Sequence, residues 1–162
     1  MSSDPPADTG RVLFRTFPPE LRFSADEKRT VQTFARTLAQ RVAEGRAFTC
    51  LITRDAELQA LNCRFLKQDY PTDVLSFPAQ QRGSTLGDVA ISLDRATSQA
   101  LQFGHNRIDE IRILMLHGVL HLTGMDHQGD GGAMARAERE WRSEFELPST
   151  LIMRTSSLQR TR

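Results

Sequence analysis

The 162-residue chain lacks the residues that build cysteine-based sites and membrane spans. Its two cysteines, Cys50 and Cys63, form no CxxC pair, so neither a thiolate zinc site nor a disulfide framework is expected. We expect both to be small buried residues. No apolar run approaches the roughly 20 residues that span a bilayer, and the first ten residues are polar and acidic. These absences favour a soluble, cytoplasmic protein that does not enter a membrane.

An excess of charge of one sign is also missing. Lys and Arg number 21 against 20 Asp and Glu, a net charge of +1, which argues against the continuous basic field of a protein that coats nucleic acid. A local basic patch remains compatible with this balance. A chain of this length can form a single hydrophobic core. We expect a flexible N-terminus over 1–10, one domain over 11–150 and a basic, flexible tail over 151–162, with an RNA-contacting arm as the alternative for the tail.

Hydrophobic periodicity predicts strands alternating with helices. Strands are expected at 11–17, 47–53, 74–77 and 86–93, the last two forming a hairpin. Helices are expected to begin at a capping box of Ser24 and Glu27, at Asp55 and at Asn106, with others at 94–101 and 132–146. The segment 108–122 is apolar nearly all round, which indicates a buried helix. The fold class is therefore α/β or α+β: a small sheet of about four strands, mostly antiparallel or mixed, covered by helices.

Three of the four histidines fall in the segment HGVLHLTGMDH, at the end of that buried helix. His117 and His121 are four residues apart, so on a helix they lie on one face, about 6 Å apart along the axis. Gly124 permits a left-handed turn that ends the helix and returns the chain, bringing His127 alongside. The spacing predicts one divalent metal ion, zinc first, held by His117, His121 and His127.

Three imidazoles leave the fourth corner of a zinc tetrahedron for water or substrate, as in catalytic sites. The pKa of a water bound there falls to about 7. Asp126 and Asp130 are candidates to accept an imidazole N–H. The alternative is that the histidines are hydrogen-bonded core residues without a metal. His105, alone in a polar turn, is expected to be exposed.

Four segments carry a resemblance to a known family: HGVLHLTGMDH at 117–127, PTDVLSF at 71–77, LGD at 86–88 and the pair Leu61-Asn62. With these motifs the chain resembles the YbeY family of ribosomal RNA maturation factors, metal-dependent single-strand endoribonucleases of the bacterial cytoplasm. Their joint occurrence is highly specific. The ends of the chain match only in length and helix placement.

The resemblance implies that the three histidines bind zinc and that the substrate is ribosomal RNA. It further implies processing of the small-subunit precursor and ribosome quality control, with the small subunit and its assembly factors as partners. Thr72, Asp73 and Asp88 would line the cleft. From the residues alone, Thr72 and Asp73 also fit a turn at the entry to a strand.

One position departs from the family pattern. Four or five residues after the Leu-Asn pair the family usually has an arginine, and this chain has Leu66. Arginine grips a phosphate through two hydrogen bonds, whereas lysine acts only as a point charge. Arg64 or Lys67 would therefore be an imperfect substitute in binding RNA, and we expect reduced RNA affinity or rate.

We hypothesise a metal-assisted cleavage of an RNA phosphodiester, in which Asp88 or Asp126 moves a proton and cations offset the developing charge. Water and the RNA 2′-hydroxyl both stay open as the nucleophile. A ribosome-assembly factor whose metal only shapes a binding surface is one rival, slightly favoured by Gly118 and Leu66. A zinc hydrolase of small esters, amides or peptides is the other. Gly118 stands where HExxH peptidases carry their glutamate, which disfavours a peptidase with that base.

Overall fold

The computed structural model describes residues 9–66, 72–80, 83–125 and 131–149. In these ranges strands and helices alternate, and the elements in chain order are β1 (Gly10–Phe14), α1 (Ala25–Arg41), β2 (Ala47–Thr53), α2 (Asp55–Leu66), β3 (Val74–Pro78), β4 (Thr85–Ser92), α3 (Leu93–Phe103), α4 (Arg107–Leu122) and α5 (Ala133–Glu144). A short 3-10 helix, Pro19–Leu21, precedes α1. The predicted fold class, a four-stranded sheet covered by helices, is confirmed.

The sheet is mixed, with the strand order β1-β2-β4-β3. Strand β2 lies between β1 and β4 and is parallel to both. Strands β3 and β4 are antiparallel, with Val74 opposite Ile91, which confirms the predicted hairpin. The sequence analysis expected either a mostly antiparallel or a mixed sheet, and the first of these two expectations is wrong. Helix α1 connects β1 to β2, and a helical crossover brings the chain back to start its next strand in the same direction.

Two of the three predicted capping residues at the helix starts are confirmed. The Ser24 hydroxyl accepts from the Glu27 N–H at 3.0 Å, while the Glu27 carboxylate accepts from the Ser24 N–H at 2.9 Å. The Asn106 side chain accepts from the Asp109 N–H at 2.8 Å. Asp55 is the exception, because it is the first residue of α2 and not its cap. Its own N–H donates to the carboxylate of Asp94 at 2.8 Å, a partner distant in sequence.

Helix α4 is the central element. It packs on β3, β4, α1 and α3, and most of its residues are buried, as the all-round apolar pattern predicts. Helices α1 and α4 cover one face of the sheet, where Phe48, Cys50 and Ile52 join the main core. Helix α2 covers part of the opposite face through Leu58 and its apolar neighbours. Two histidines are therefore carried on the most extensively buried of the described helices.

The expected chain ends are only partly within the described residues. Thr9 and Gly10, which the sequence assigns to a flexible N-terminus, are buried. The carbonyl of Thr9 accepts from the Phe48 N–H at 2.8 Å, so these two residues are part of the fold. The tail at 151–162 lies outside the described ranges. Among the helices described, none has both the length and the apolar composition to cross a lipid bilayer.

The two cysteines differ in exposure, so the expectation that both are buried is wrong for one of them. Cys50 is buried in β2, whereas Cys63 is exposed on α2. Burial raises the pKa of the Cys50 thiol far above its usual range, which suppresses the reactive thiolate. We expect a thiol reagent such as DTNB to modify only Cys63 in the native protein and both cysteines in denaturant. Cys63→Ser should remove the native reaction, and a second fast thiol in that variant would contradict this assignment.

Candidate metal centre

The last two turns of α4 place His117 and His121 on one face of the helix. The Nε2 atoms of the two rings lie 3.1 Å apart. The ring centroids are 4.6 Å apart, and the ring planes are inclined by 75°. His117 is buried and His121 is partly exposed. The pair therefore sits at the boundary between the interior and solvent, with two ring nitrogens directed at each other.

This arrangement fits a zinc ion. With Zn–N bonds of about 2.0–2.1 Å, adjacent corners of a tetrahedron are about 3.3–3.4 Å apart. The observed Nε2 separation of 3.1 Å is close to that value. Two neutral imidazoles are also ligands that zinc prefers. The spacing of these two nitrogens therefore fits the predicted zinc ion, and it fits equally the predicted alternative of a hydrogen bond between the two rings, so the cofactor stays a prediction.

The third predicted ligand, His127, lies in 126–130, outside the described residues. No group of three or more His, Cys, Asp or Glu side chains able to hold a metal occurs within 9–66, 72–80, 83–125 and 131–149. The turn leading to His127 is confirmed up to Met125. Gly124 adopts a φ of 104°, and its N–H donates to the His121 carbonyl at 2.9 Å. The role of His127 stays a prediction.

Glu138 on α5 is a residue of this site that the sequence analysis missed. Its Oε1 lies 2.7 Å from Nδ1 of His117, on the side of the ring away from His121. The side chains of His117 and Glu138 are both buried. Arg142, one turn further along α5, donates to the second carboxylate oxygen of Glu138 at 3.3 Å. Asp126 and Asp130, the expected partners of an imidazole N–H, lie outside the described residues.

A weak signal for Glu138 exists in the sequence. Met134, Glu138 and Arg142 follow each other at four-residue spacing, and all three are buried. Opposite charges at that spacing usually form an exposed ion pair, which gives no reason to place them inside. Only the packing of α5 against α4 identifies the carboxylate that meets His117.

Thr72 and Asp73, expected to bind substrate, are buried where the chain enters β3. Asp73 accepts from the Gln99 side chain at 3.1 Å. Burial raises the pKa of Asp73, and the Gln99 hydrogen bond only partly offsets this. In the described part of the chain, the Thr72 hydroxyl and Oδ1 of Asp73 have no hydrogen-bond partner. Buried side chains offer RNA little surface, and contact with RNA stays a prediction for both.

Asp88 faces away from the histidines. Its neighbour Val89 is in contact range of Gly118 on α4, and successive side chains of a strand point to opposite faces. Asp88 instead borders a groove of about 400 Å³ on the other side of the sheet, with α2 along it. Partial burial raises the pKa of Asp88. The structure does not bring Asp88 together with His117, so its expected proton transfer at the metal has no geometric support.

The remaining predicted RNA contacts lie at the C-terminal end of α2. Arg64 is exposed, and its guanidinium carbon lies 5.3 Å from the centroid of the neighbouring Phe65 ring. Leu66 is the last residue of the helix. Lys67 lies outside the described residues. Contact of Arg64 and Lys67 with RNA stays a prediction.

His105 is not exposed, contrary to the sequence-based expectation. Its side chain is only 7% exposed, and its Nε2 lies 2.7 Å from a carboxylate oxygen of the fully buried Glu110. The ring also stacks on Phe103, with centroids 6.2 Å apart. The turn between α3 and α4 folds back onto α4, which explains the burial. His105 is therefore a core histidine at the far end of the same helix.

The close packing around position 118 explains why α4 has glycine, and not glutamate, directly after His117. A Cβ at Gly118 would lie 2.7 Å from a methyl carbon of Val89 and 3.3 Å from the Ser76 hydroxyl. That hydroxyl donates to the Gly118 carbonyl at 2.9 Å. Position 118 thus faces the sheet, and its glycine allows α4 to approach closely.

Gly118→Ala should destabilise the fold by about 1–3 kcal/mol, because the added methyl overpacks the contact with Val89. Chemical denaturation of the variant would measure this loss. Adding Val89→Ala should recover part of the loss by making room. Equal stability of Gly118→Ala and wild type would contradict the close contact.

Sequence comparisons agree with the motifs. The family model described as "Endoribonuclease YbeY" matches residues 20–146. An "Endoribonuclease YbeY" of Solibacter usitatus is 54% identical over 146 residues, covering 90% of this chain and 95% of the relative. One of Koribacter versatilis is 52% identical over 106 residues, covering 65% of this chain and 69% of the relative.

A structural comparison agrees at the level of the fold. The solution structure of TM1509 from Thermotoga maritima superposes with a TM-score of 0.51 and covers 86% of this chain and 96% of that one. The sequence identity is 24%. This likeness bears on the arrangement of strands and helices.

Proposed function

Because the chain belongs to the YbeY endoribonuclease family, we propose that it is a zinc-dependent, single-strand-specific endoribonuclease of ribosomal RNA maturation. It acts in processing of the small-subunit RNA and in ribosome quality control, in the cytoplasm, with the small subunit and its assembly factors as partners. The observation that carries the metal part of this proposal is the 3.1 Å approach of the His117 and His121 Nε2 atoms.

His117 and His121 would hold the ion through Nε2, with His127 as the third ligand. When bound, zinc supplies a Lewis acid for a phosphoryl oxygen and lowers the pKa of a bound water to about 7. Glu138 accepts the N–H of His117 Nδ1 and keeps the opposite ring nitrogen directed at His121. Asp126 is the residue that we propose for proton transfer to or from the RNA.

Arg64 and Lys67 are the cations that we propose for binding the RNA strand. The Arg64 guanidinium beside the exposed Phe65 ring combines a positive charge with an aromatic face, which suits an unpaired nucleotide. Such stacking requires an unstacked base and therefore favours single strands over duplexes. With Leu66 in place of an arginine, binding of the phosphate depends on weaker contacts.

A second candidate is a ribosome-assembly factor that binds without cleaving. The groove beside Asp88 favours it, because Leu13 and Phe65 on its border are 42% and 57% exposed. Exposed apolar side chains of this size are typical of contact surfaces. The groove lies on the sheet face away from the histidines and shares Phe65 with the proposed RNA contact of Arg64, so RNA held there without cleavage would fit this second candidate.

A cleavage assay on matched RNAs tests the proposal. The purified protein, the chelator-treated protein and the protein reloaded with Zn²⁺, Mn²⁺ or Mg²⁺ are incubated with one RNA as a single strand and as a duplex. We expect cleavage of the single strand only, loss on chelation and recovery with Zn²⁺. Bound zinc without cleavage would support the assembly factor instead. Cleavage unaffected by chelation would overturn zinc dependence.

A further inference from the structure

A contribution to folding stability does not explain why Glu138 and Arg142 form a buried ion pair. Both side chains are almost fully buried, at 4% and 1% exposure. Removing two charges from water is costly, and replacing a buried ion pair by apolar side chains is often neutral or stabilising. Such a pair is better explained by an orienting role, and Glu138 contacts His117 directly.

The carboxylate of Glu138 is held at both of its oxygens. Oε1 lies 2.7 Å from Nδ1 of His117, and Oε2 accepts from Arg142 at 3.3 Å. Two contacts in different directions fix the plane of the carboxylate, whereas one contact would allow it to rotate. The position of Oε1 therefore depends on Arg142 as well as on His117.

The contact with Glu138 determines which nitrogen of His117 carries the hydrogen. A carboxylate can only accept, so the neutral ring must donate from Nδ1 and keep its lone pair on Nε2. That nitrogen is the one directed at His121. A metal ligand needs this tautomer, and a histidine ligand commonly obtains it from a carboxylate on its other nitrogen.

We propose that Glu138 and Arg142 are positioning residues that make α5 a structural part of the metal site. Met134 and Leu147 bury the two ends of this segment in the core. The Phe145 ring packs edge-on against Phe34 at 5.3 Å between centroids. Since α5 supplies the partner of a ligand, metal binding and docking of α5 are thermodynamically linked, and each strengthens the other.

Zinc affinity, measured by competition with a chromophoric chelator, is the first test. We expect Glu138→Ala to weaken zinc binding about 10- to 100-fold, the usual effect of losing such a partner. Glu138→Gln retains an acceptor oxygen and should lose less. Glu140→Gln and Arg139→Met, exposed positions on the same helix, are the controls and should bind zinc like wild type. Equal affinity of Glu138→Ala and wild type would overturn the proposal.

Two further readouts separate positioning from a general loss of structure. In the metal-free protein, ¹⁵N NMR should show His117 carrying its hydrogen on Nδ1 in wild type and losing this preference in Glu138→Ala. The double variant Glu138→Met/Arg142→Met replaces the pair by apolar side chains, so it should fold and still bind zinc weakly. An unchanged tautomer in Glu138→Ala, or normal affinity in the double variant, would overturn the proposal.

Hydrogen exchange tests the linkage itself. Added zinc should slow amide exchange across 133–144 in wild type, and should do so much less in Glu138→Ala at matched zinc occupancy. This inference rests on the proposed zinc site and not on RNA cleavage. A protein that binds zinc as expected and cleaves no RNA would therefore overturn the proposed activity and leave the role of Glu138 standing.

Discussion

His121→Ala is expected to abolish tight zinc binding and to lower RNA cleavage by more than about 100-fold. The substitution removes one of the two nitrogens that approach within 3.1 Å. Loss of an outer partner of a ligand typically costs 10- to 100-fold, and loss of the ligand itself should cost more. His121 is only partly buried and lies in the last turn of α4, so the fold should survive. Metal analysis and single-strand cleavage assays measure the two effects.

The same chain offers a control histidine at the opposite end of α4. His105→Gln alters a histidine that pairs with Glu110 near the start of α4 and keeps a side-chain donor there. It should retain full zinc occupancy and cleavage, although its thermal stability should fall somewhat. Cleavage that persists in metal-free His121→Ala would point to a contaminating nuclease. Full zinc occupancy in folded His121→Ala would refute the assignment of the ligand.

The sequence predicts this part of the site well because the relevant geometry is local. A four-residue spacing on a helix fixes the relative position of His117 and His121 whatever surrounds them. The turn at Gly124 is equally local, since a positive φ is readily adopted by glycine. The capping box at Ser24 follows the same logic. Each of these expectations depends on residues within one or two helical turns.

Expectations that depend on how distant helices and strands pack against each other are less accurate. Glu138 is 21 residues from His117 along the chain, and only the docking of α5 makes them partners. Asp88 belongs to the LGD motif at 86–88, but the pleat of β4 turns it to the face of the sheet opposite the histidines. The sequence around His105 predicts an exposed residue in a polar turn, whereas the structure buries His105 through its contact with Glu110 inside the core. Sequence spacing carries no information on such contacts.

The strand pairing illustrates the same limit. The hairpin of β3 and β4 is predictable because a short polar loop joins two apolar runs. The parallel placement of β2 beside β4 is not, since α2 and β3 intervene between them. The insertion of β4 into the middle of the sheet positions Val89 under Gly118, and so determines how closely α4 approaches.

Gly87→Ala is expected to have the largest effect on stability, a loss of about 3 kcal/mol or more. A Cβ at Gly87 would lie 2.3 Å from the backbone carbonyl oxygen of Phe77, and the φ of 144° is one that alanine rarely adopts. Because the obstacle is backbone in the paired strand β3, neither partner can move without breaking the hairpin. Chemical denaturation measures the loss.

Gly83→Ala separates the two causes of that loss. Gly83 has a similar φ of 157°, but a Cβ there meets nothing within 4 Å among the residues that the structure describes, so only backbone strain of about 1 kcal/mol should appear. A Cβ at Gly87 would also approach the Leu122 side chain at 3.0 Å, next to His121. Gly87→Ala should therefore weaken zinc binding as well as folding, whereas Gly83→Ala should leave zinc binding intact. Similar stability losses in both variants would show that φ alone, and not the contact with Phe77, makes glycine necessary at position 87.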